Sequence, residues 1–252
     1  MTDLVIALDV PSRRDAAAIV ERLGPRADFY KVGLQLFTAE GPAVVHWLRA
    51  LGKRVFLDLK LHDIPNTVAG AVRAAADLEV ELLTIHAAGG VEMMRAAQEA
   101  AREVQSGDAS TSRLRLLAVT VLTSLTVPQL DRVWGAPALD AGMDARVLRL
   151  ARAAQDAGLD GLVCSPLELE LLRAELGADW YLLTPGIRLE GQERGDQARV
   201  VTPAKAVAWG SSALVLGRAV TSAPDPPAAL DLAREAVAGV EHQPDAIVGG
   251  SF

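Results

Sequence analysis

Asp58, Lys60 and Asp63 lie together where the chain changes from a predicted strand to a predicted helix. The residues before them are apolar and β-prone, and Pro65 with the alanine-rich stretch after it suits a first helical turn. Alternate residues of a strand share a face, so Asp58 and Lys60 point the same way, roughly 7 Å apart along a backbone that rises about 3.3 Å per residue. A buried strand is normally a continuous apolar run. Charged residues at its end are unfavourable unless they pair with one another, so their presence indicates a role.

The chemistry available to these residues is proton transfer and electrostatic stabilisation. The chain has 25 lysines and arginines, of which four are lysines, and Lys31 and Lys60 both fall at predicted strand ends. An ammonium can give up a proton and a guanidinium cannot, although chance could also place two of so few lysines there. A single Asp–Lys pair would be interpreted as a structural salt bridge. The pattern Asp-x-Lys-x-x-Asp at a strand-to-helix junction favours a functional site.

The composition predicts one globular domain over residues 1–252, with 50% hydrophobic and 23% charged residues. A net charge of -7 argues against a nucleic-acid binder, while a small anionic ligand stays compatible with a locally positive pocket. The one cysteine, Cys164, gives no disulfide framework and is most simply a small buried hydrophobe. Without a signal peptide or a membrane-spanning run, we expect a cytoplasmic protein with no membrane partner.

Eight predicted strands alternate with eight helical segments, which is typical of a parallel sheet. The strands are Leu4–Asp9, Asp28–Gly33, a third from Val55 into Asp58, Val80–His86, Leu114–Leu122, Leu162–Ser165, Trp180–Thr184 and Ala213–Leu216. The helices include one within Leu36–Leu51, broken or delayed at Gly41-Pro42, a short one within Pro128–Asp140, and others ending near Leu23, Asp77, Val104, Ala157, Gly177, Gly210 and Val240. At this length a closed (β/α)8 TIM barrel is favoured over an open doubly wound sheet. No Gly-x-Gly-x-x-Gly or Walker-type loop supports a nucleotide cofactor.

In such a barrel the functional site lies at the carboxyl ends of the strands. Polar residues follow the predicted strands at Asp9, Lys31, Asp58 with Lys60 and Asp63, His86, Thr123, Ser165, Arg188, and Gly217 with Arg218. The last two strands supply arginines at the position where these barrels commonly bind phosphate. Gly217 would let backbone N–H groups approach an anion, Arg218 would add a charge-assisted pair, and Gln197 in the polar loop Leu189–Val201 could donate amide hydrogens.

Several of these residues also have plainer interpretations. A Gly-Arg pair alone would be a turn with a solvated arginine, and a lone histidine such as His86 is more often a hydrogen-bonded core residue. Thr123 is about equally suited to capping a helix or contacting a ligand. A metal site is not favoured, because the ammonium groups of Lys31 and Lys60 interleave with the aspartates and would repel Mg²⁺.

The motifs resemble the orotidine 5'-phosphate decarboxylase family, bacterial type, over nearly the whole chain. The residues that carry the resemblance are Ala7-Leu8-Asp9, Lys31-Val32-Gly33, Asp58-x-Lys60-x-x-Asp63-Ile64-x-x-Thr67, Val119 to Ser124, Pro185-Gly186-Ile187-Arg188, Gly195-Asp196-Gln197 and Gly217-Arg218. The central signature is specific for a superfamily, and the later blocks indicate the decarboxylase within it.

The resemblance implies decarboxylation of orotidine 5'-phosphate to UMP, the last step of UMP biosynthesis, by a homodimer that needs no cofactor or metal. It implies an alternating charged network of Lys31, Asp58, Lys60 and Asp63, with Asp63, Ile64 and Thr67 reaching into the other subunit's site. It further implies that Asp9 and Lys31 hold the ribose, that Thr123 contacts the pyrimidine, and that Gln197, Gly217 and Arg218 bind the phosphate with Arg188 nearby. Lys60 would donate a proton to C6.

Two alternatives remain at this stage. One is a Mg²⁺-dependent decarboxylase or aldolase of the same superfamily, acting on a sugar phosphate and sharing the Asp-x-Lys-x-x-Asp signature. The other is a phosphate-binding or regulatory barrel without turnover, which the intact set of lysines and aspartates disfavours.

Overall fold

The computed structural model describes residues 1–105, 113–135, 142–190 and 201–241. In these ranges eight parallel strands follow one another around a closed barrel, and the eighth pairs with the first. The strands are β1 (Asp3–Ala7), β2 (Phe29–Gly33), β3 (Arg54–Leu61), β4 (Leu82–His86), β5 (Arg115–Val119), β6 (Gly161–Val163), β7 (Tyr181–Thr184) and β8 (Ala213–Leu216). The predicted (β/α)8 TIM barrel is therefore confirmed.

Helices connect the strands on the outside of the barrel. They are α1 (Arg13–Leu23), α2 (Leu34–Glu40), α3 (Ala43–Ala50), α4 (Pro65–Ala76), α5 (Val91–Gln105), α6 (Val127–Trp134), α7 (Met143–Asp156), α8 (Leu169–Leu176), α9 (Pro203–Ala208), α10 (Arg218–Thr221) and α11 (Pro226–Glu241), with short 3-10 turns at Gly24–Arg26, Ala87–Gly89 and Pro166–Glu168. The helix predicted within Leu36–Leu51 is two helices, because the chain turns at Gly41-Pro42. The short helix α10 after β8 was not predicted.

Several strand ends differ from the prediction. β5 stops at Val119 and not at Leu122, and β6 stops at Val163 before Ser165. β3 in contrast continues beyond Asp58 through Lys60 to Leu61. Polar residues that we expected at strand ends thus lie partly within a strand and partly in the loops that follow.

The ends of α1 show how local sequence fixes the elements. The Ser12 side chain accepts a hydrogen bond from the Asp15 N–H, and Gly24 ends the helix with a φ of 55°. A side-chain oxygen at the first position satisfies an N–H that the helix leaves unpaired, and glycine adopts the left-handed conformation at low cost.

The barrel interior is filled with side chains. An apolar layer that includes Val5, Phe29, Phe56, Leu82 and Leu117 occupies the axis, and a larger apolar cluster lies between strands and helices. This packing closes the barrel as a solid core, so a ligand site has to lie at one of its two ends.

A network of charges, here called the basal network, covers the amino end of the barrel. It consists of Asp3, Arg54, Glu81, Arg115 and Tyr181. Arg54 binds both carboxylate oxygens of Glu81 at 2.7 and 2.8 Å and also Asp3 at 2.8 Å, while the Tyr181 hydroxyl donates to Asp3 at 2.7 Å. Burial and the neighbouring Asp3 carboxylate raise the pKa of Tyr181, so its hydroxyl stays a donor. The described helices include none that is both long and apolar enough to cross a membrane.

Candidate active site

An irregularity in β3 determines where its charged residues point. Leu57 pairs with Leu83 of β4 and Leu61 pairs with Ile85, so β3 contains two more residues than β4 between these pairs. Lys60, inside this bulge, has a φ of 50°, a left-handed conformation that lysine rarely adopts. Bulges redirect side chains and are frequent next to active sites.

Asp58 is the centre of the charged contacts. Its Oδ1 accepts hydrogen bonds from Lys60 Nζ at 2.7 Å and from Thr84 Oγ1 at 2.9 Å, and its Oδ2 lies 3.6 Å from Lys31 Nζ. Burial alone would raise the pKa of Asp58, but the two ammonium groups and the Thr84 hydroxyl outweigh burial and bring the pKa below its ordinary value. Asp58 is therefore ionised at neutral pH. The side chains of Asp58 and Lys60 meet, as we expected, but Lys60 reaches Asp58 from a bulge and not through the regular alternation of a strand.

Lys31 connects Asp58 to Asp9. Its Nζ lies 2.7 Å from Asp9 Oδ1, and its side chain is almost fully buried while that of Asp9 is largely exposed. Gly33, two residues beyond Lys31 in β2, leaves room for this pair, because a Cβ at Gly33 would lie 3.0 Å from both Asp9 Oδ1 and Lys31 Nζ. The result is a row of alternating charges, Asp9–Lys31–Asp58–Lys60, here called the charge row.

Two arginines follow the last two strands, at the same barrel mouth as the charge row. Arg188 follows β7, and Arg218 begins α10 immediately after Gly217. Burial lowers the pKa of Arg188, and the nearby guanidinium of Arg218 lowers it further. Two cations that disfavour each other in this way form a suitable site for an anion, which would relieve their repulsion.

A cavity of about 730 Å³ lies at this mouth. Its lining includes the whole charge row, together with Thr123, Arg188, Gly217 and Arg218. The lining also has an apolar part, here called the apolar wall, to which Val121, Leu122, Val163 and Pro185 contribute. A concave pocket of this size, with an apolar part and convergent polar groups, is typical of a site for a small molecule.

Three of the predicted site residues lie outside the cavity, namely Asp63, Ile64 and Thr67. All three are exposed, Ile64 to 68%, and they are not among the residues that line the cavity in the described ranges. Asp63 Oδ1 accepts the Ile64 N–H at 2.6 Å. The expectation that one mouth gathers Asp63 with Asp58 and Lys60 is thus not met within a single chain, because the bulge and the start of α4 carry Asp63 outward. Gln197 lies outside the described residues.

Our reasoning from the sequence missed Thr84, and it quoted Gly33 within the motif Lys31-Val32-Gly33 without giving Gly33 a role. Thr84 is a polar residue in the middle of β4, between Leu83 and Ile85, and that departure from an apolar run is the signal that could have indicated it. His86, at the end of β4, packs its ring against that of His62 with the centroids 5.4 Å apart. Burial lowers the pKa of His86, and the charges of His62 and Lys60 lower it further, which favours the neutral imidazole.

The fold and the mouth together define a (β/α)8 barrel enzyme that takes a small anionic ligand. The model of the orotidine 5'-phosphate decarboxylase / HUMPS family matches residues 2–233. Orotidine 5'-phosphate decarboxylase of Moorella thermoacetica is 47% identical over 226 residues, covering 90% of this chain and 88% of that protein. The enzyme of Anaeromyxobacter dehalogenans (strain 2CP-1) is 49% identical over 234 residues, covering 93% and 96%.

The same likeness holds in three dimensions. The crystal structure of orotidine 5'-phosphate decarboxylase from Lactobacillus acidophilus superimposes with a TM-score of 0.81 at 37% identity, covering 94% of this chain and 99% of that one. The chain belongs to the orotidine 5'-phosphate decarboxylase / HUMPS family, and the resemblance seen in the motifs is confirmed.

Proposed function

We propose that the protein converts orotidine 5'-phosphate into UMP and CO₂, the last step of UMP biosynthesis, and that it does so in the cytoplasm. The observation that carries this proposal is that the charge row and two arginines line one cavity. A nucleotide of this kind has an anionic phosphate at one end and, at the other, a ring carbon that loses its carboxylate. The cavity offers the guanidinium groups of Arg188 and Arg218 for the phosphate. It offers the ammonium–carboxylate pair of Lys60 and Asp58 for the reacting carbon.

The phosphate end would lie against Arg188, Gly217 and Arg218. Arginine gives paired, charge-assisted hydrogen bonds to phosphate oxygens, and a glycine lets the backbone come close. Gln197 would add amide donors. Binding energy from this remote group can be used to hold the ring in place at the reacting end.

The ribose and the base would occupy the space between. Asp9 and Lys31, joined at 2.7 Å and facing the cavity, suit two neighbouring hydroxyl groups. Thr123 beside the apolar wall would contact the pyrimidine. The flat faces of the ring would pack against that wall, while its two carbonyls and its N–H would need polar partners.

At the reacting end, the bond between C6 and the carboxylate carbon breaks, CO₂ leaves, and the electron pair stays on C6. That pair lies in the ring plane with no adjacent carbonyl to delocalise it, so fixed charges must stabilise it. The Lys60 ammonium, held at 2.7 Å by Asp58, provides a positive charge at this point and then transfers a proton to C6. Asp58 would lie beside the departing carboxylate and disfavour it electrostatically.

We also propose that the active unit is a homodimer with shared sites. Asp63, Ile64 and Thr67 form an exposed stretch that includes an apolar side chain, Ile64, exposed to 68%. In a dimer these residues would enter the other subunit's mouth, and Asp63 would then supply the second carboxylate beside Lys60. Sedimentation equilibrium of the wild type and of an Ile64→Asp variant would test this, and a monomeric wild type would refute it.

The test of the main proposal is a spectrophotometric assay of orotidine 5'-phosphate loss with the purified protein. We expect turnover that survives extensive treatment with EDTA. Activity that disappears with EDTA and returns with Mg²⁺ would instead favour the metal-dependent alternative, and no loss of the substrate would refute the proposal.

A further inference from the structure

Thr84 lies at the one place where β3 and β4 lose their regular pairing. Its neighbours Leu83 and Ile85 pair with Leu57 and Leu61 of β3, so Thr84 itself faces the bulge. It is fully buried. It is not among the residues that line the cavity in the described part of the chain, so it would not touch a ligand there.

The Thr84 hydroxyl connects the two charged residues of β3. Oγ1 accepts the backbone N–H of Lys60 at 2.9 Å and donates to Asp58 Oδ1 at 2.9 Å. A hydroxyl has one hydrogen to donate and lone pairs to accept with, so both bonds can exist together. One side chain on a neighbouring strand thereby holds the backbone of the lysine and the carboxylate that binds its ammonium.

The bond to Lys60 has a structural reason. The bulge removes Lys60 from the β3–β4 ladder, and its φ of 50° is unfavourable for a residue with a side chain. Such a conformation persists when the surroundings over-determine it, and the hydroxyl supplies the partner that the ladder no longer gives.

We propose that Thr84 is a positioning residue: its hydroxyl holds the left-handed backbone of Lys60 and Oδ1 of Asp58 in one fixed arrangement, so that the ammonium stands at a single point in the cavity. This inference rests on the proposed decarboxylation. It assigns Thr84 no contact with substrate and no proton transfer of its own.

The test compares Thr84→Val, which keeps the shape and removes the hydroxyl, with Thr84→Ser, which keeps the hydroxyl. We expect Thr84→Val to lower kcat on the order of 10²-fold, the scale of a misplaced reacting group, with KM close to that of the wild type. Thr84→Ser should recover most of kcat. If Thr84→Val does not fold, Thr84→Cys takes its place, since a thiol is a weak donor of similar size, and an intermediate kcat is expected.

A matched control is available in β7. Thr184 is also a fully buried strand threonine, but its hydroxyl bonds to Ser211 and to the Ala213 carbonyl, away from the charge row. Thr184→Val should lower the midpoint of urea unfolding and leave kcat unchanged at a temperature where the variant is folded. A loss of kcat in Thr184→Val equal to that in Thr84→Val would overturn the inference.

The pH dependence gives a readout that a merely structural role would not change. The charged and titratable groups near Asp58 are Lys31, Lys60 and His86. Removing the Thr84 hydrogen bond takes away one of the interactions that stabilise the carboxylate, so the acidic limb of the kcat profile should move to higher pH in Thr84→Val. An unchanged acidic limb together with an unchanged kcat would refute the positioning role.

The two proposals fail in different ways. If the wild type does not consume orotidine 5'-phosphate, the proposed function is wrong, and carbon NMR titration of the Asp58 carboxyl in wild type and Thr84→Val still tests the contact. If the wild type is active and Thr84→Val matches it in kcat and pH profile, the inference about Thr84 is wrong and the proposed function stands.

Discussion

Replacing Asp58 with asparagine tests the charge row without relying on turnover. The carboxylate faces ammonium nitrogens at 2.7 and 3.6 Å. At an effective dielectric constant of about 20 these contacts are worth roughly 6 and 5 kcal/mol of attraction before desolvation is subtracted. Desolvation of the buried ions offsets most of that, and removing one partner of a buried pair typically costs about 3–5 kcal/mol. We expect Asp58→Asn to lower the free energy of unfolding by about 3 kcal/mol at pH 7. This is the lower end of that range, because the new amide oxygen would still accept hydrogen bonds and Lys31 would still contact Asp9.

The pH dependence of this loss has a definite sign. The pKa of Asp58 is lower in the folded protein than its ordinary value, so the carboxylate contributes stability above the unfolded pKa of about 3.9. That contribution disappears as the pH falls through the folded pKa, where the wild-type carboxyl also becomes neutral. The difference between wild type and Asp58→Asn should therefore be largest at neutral pH and shrink in acid below about pH 4.

The assay is urea unfolding of both proteins from neutral to acidic pH, with Asp9→Asn as the matched control. Asp9 contacts Lys31, as Asp58 does, but the Asp9 side chain is 62% exposed. Asp9→Asn should therefore lower the free energy of unfolding by no more than about 1 kcal/mol. The reasoning is refuted if Asp58→Asn is as stable as the wild type at pH 7, or if the difference between them does not depend on pH.

Three further predictions concern activity. Lys60→Ala should lower kcat on the order of 10³-fold or more because the proton donor is lost, with an unchanged circular dichroism spectrum; substantial remaining turnover would contradict its role. Arg218→Ala should raise KM by on the order of tenfold with a smaller change in kcat, measured by steady-state kinetics; an unchanged kcat/KM would mean that phosphate binds elsewhere. Gly33→Ala should lower kcat/KM, since its Cβ would lie 3.0 Å from Asp9 Oδ1 and Lys31 Nζ, and the fold should persist because φ at Gly33 is -94°. Wild-type kinetics in Gly33→Ala would show that the Asp9–Lys31 pair is free to move.

The charge row could be predicted from the sequence because its members follow a simple rule. Each of Asp9, Lys31, Asp58 and Lys60 lies at or just beyond the carboxyl part of a β-prone segment, and parallel strands bring those parts to one end of a barrel. The same rule placed Arg188 and Arg218 at that end of the barrel as well. The bounds of strands and helices were less certain, since the apolar pattern continues beyond Val119 although the hydrogen-bonded strand β5 does not.

The pairing across strands could not be predicted in the same way. The contact between Thr84 and Lys60 depends on the register of β3 against β4, and the two extra residues of the bulge have no local signature in the sequence. The outward position of Asp63 has the same origin, because periodicity describes a regular strand and Lys60 departs from it. The basal network likewise depends on residues far apart in the chain, such as Asp3 and Tyr181, meeting at 2.7 Å.

That basal network bears on how the barrel assembles. Its members lie in the first, third, fifth and seventh strands, and Glu81 directly precedes the fourth. A fragment that ends after β4 would therefore hold Asp3, Arg54 and Glu81 without Arg115 or Tyr181. Half of the barrel would then retain acidic groups that have lost part of their partners, and incompletely paired ions in a partly dry environment are unfavourable. We expect the last strands to join the first in the same cooperative step that completes these contacts, which would leave little population of a stable half-barrel during folding.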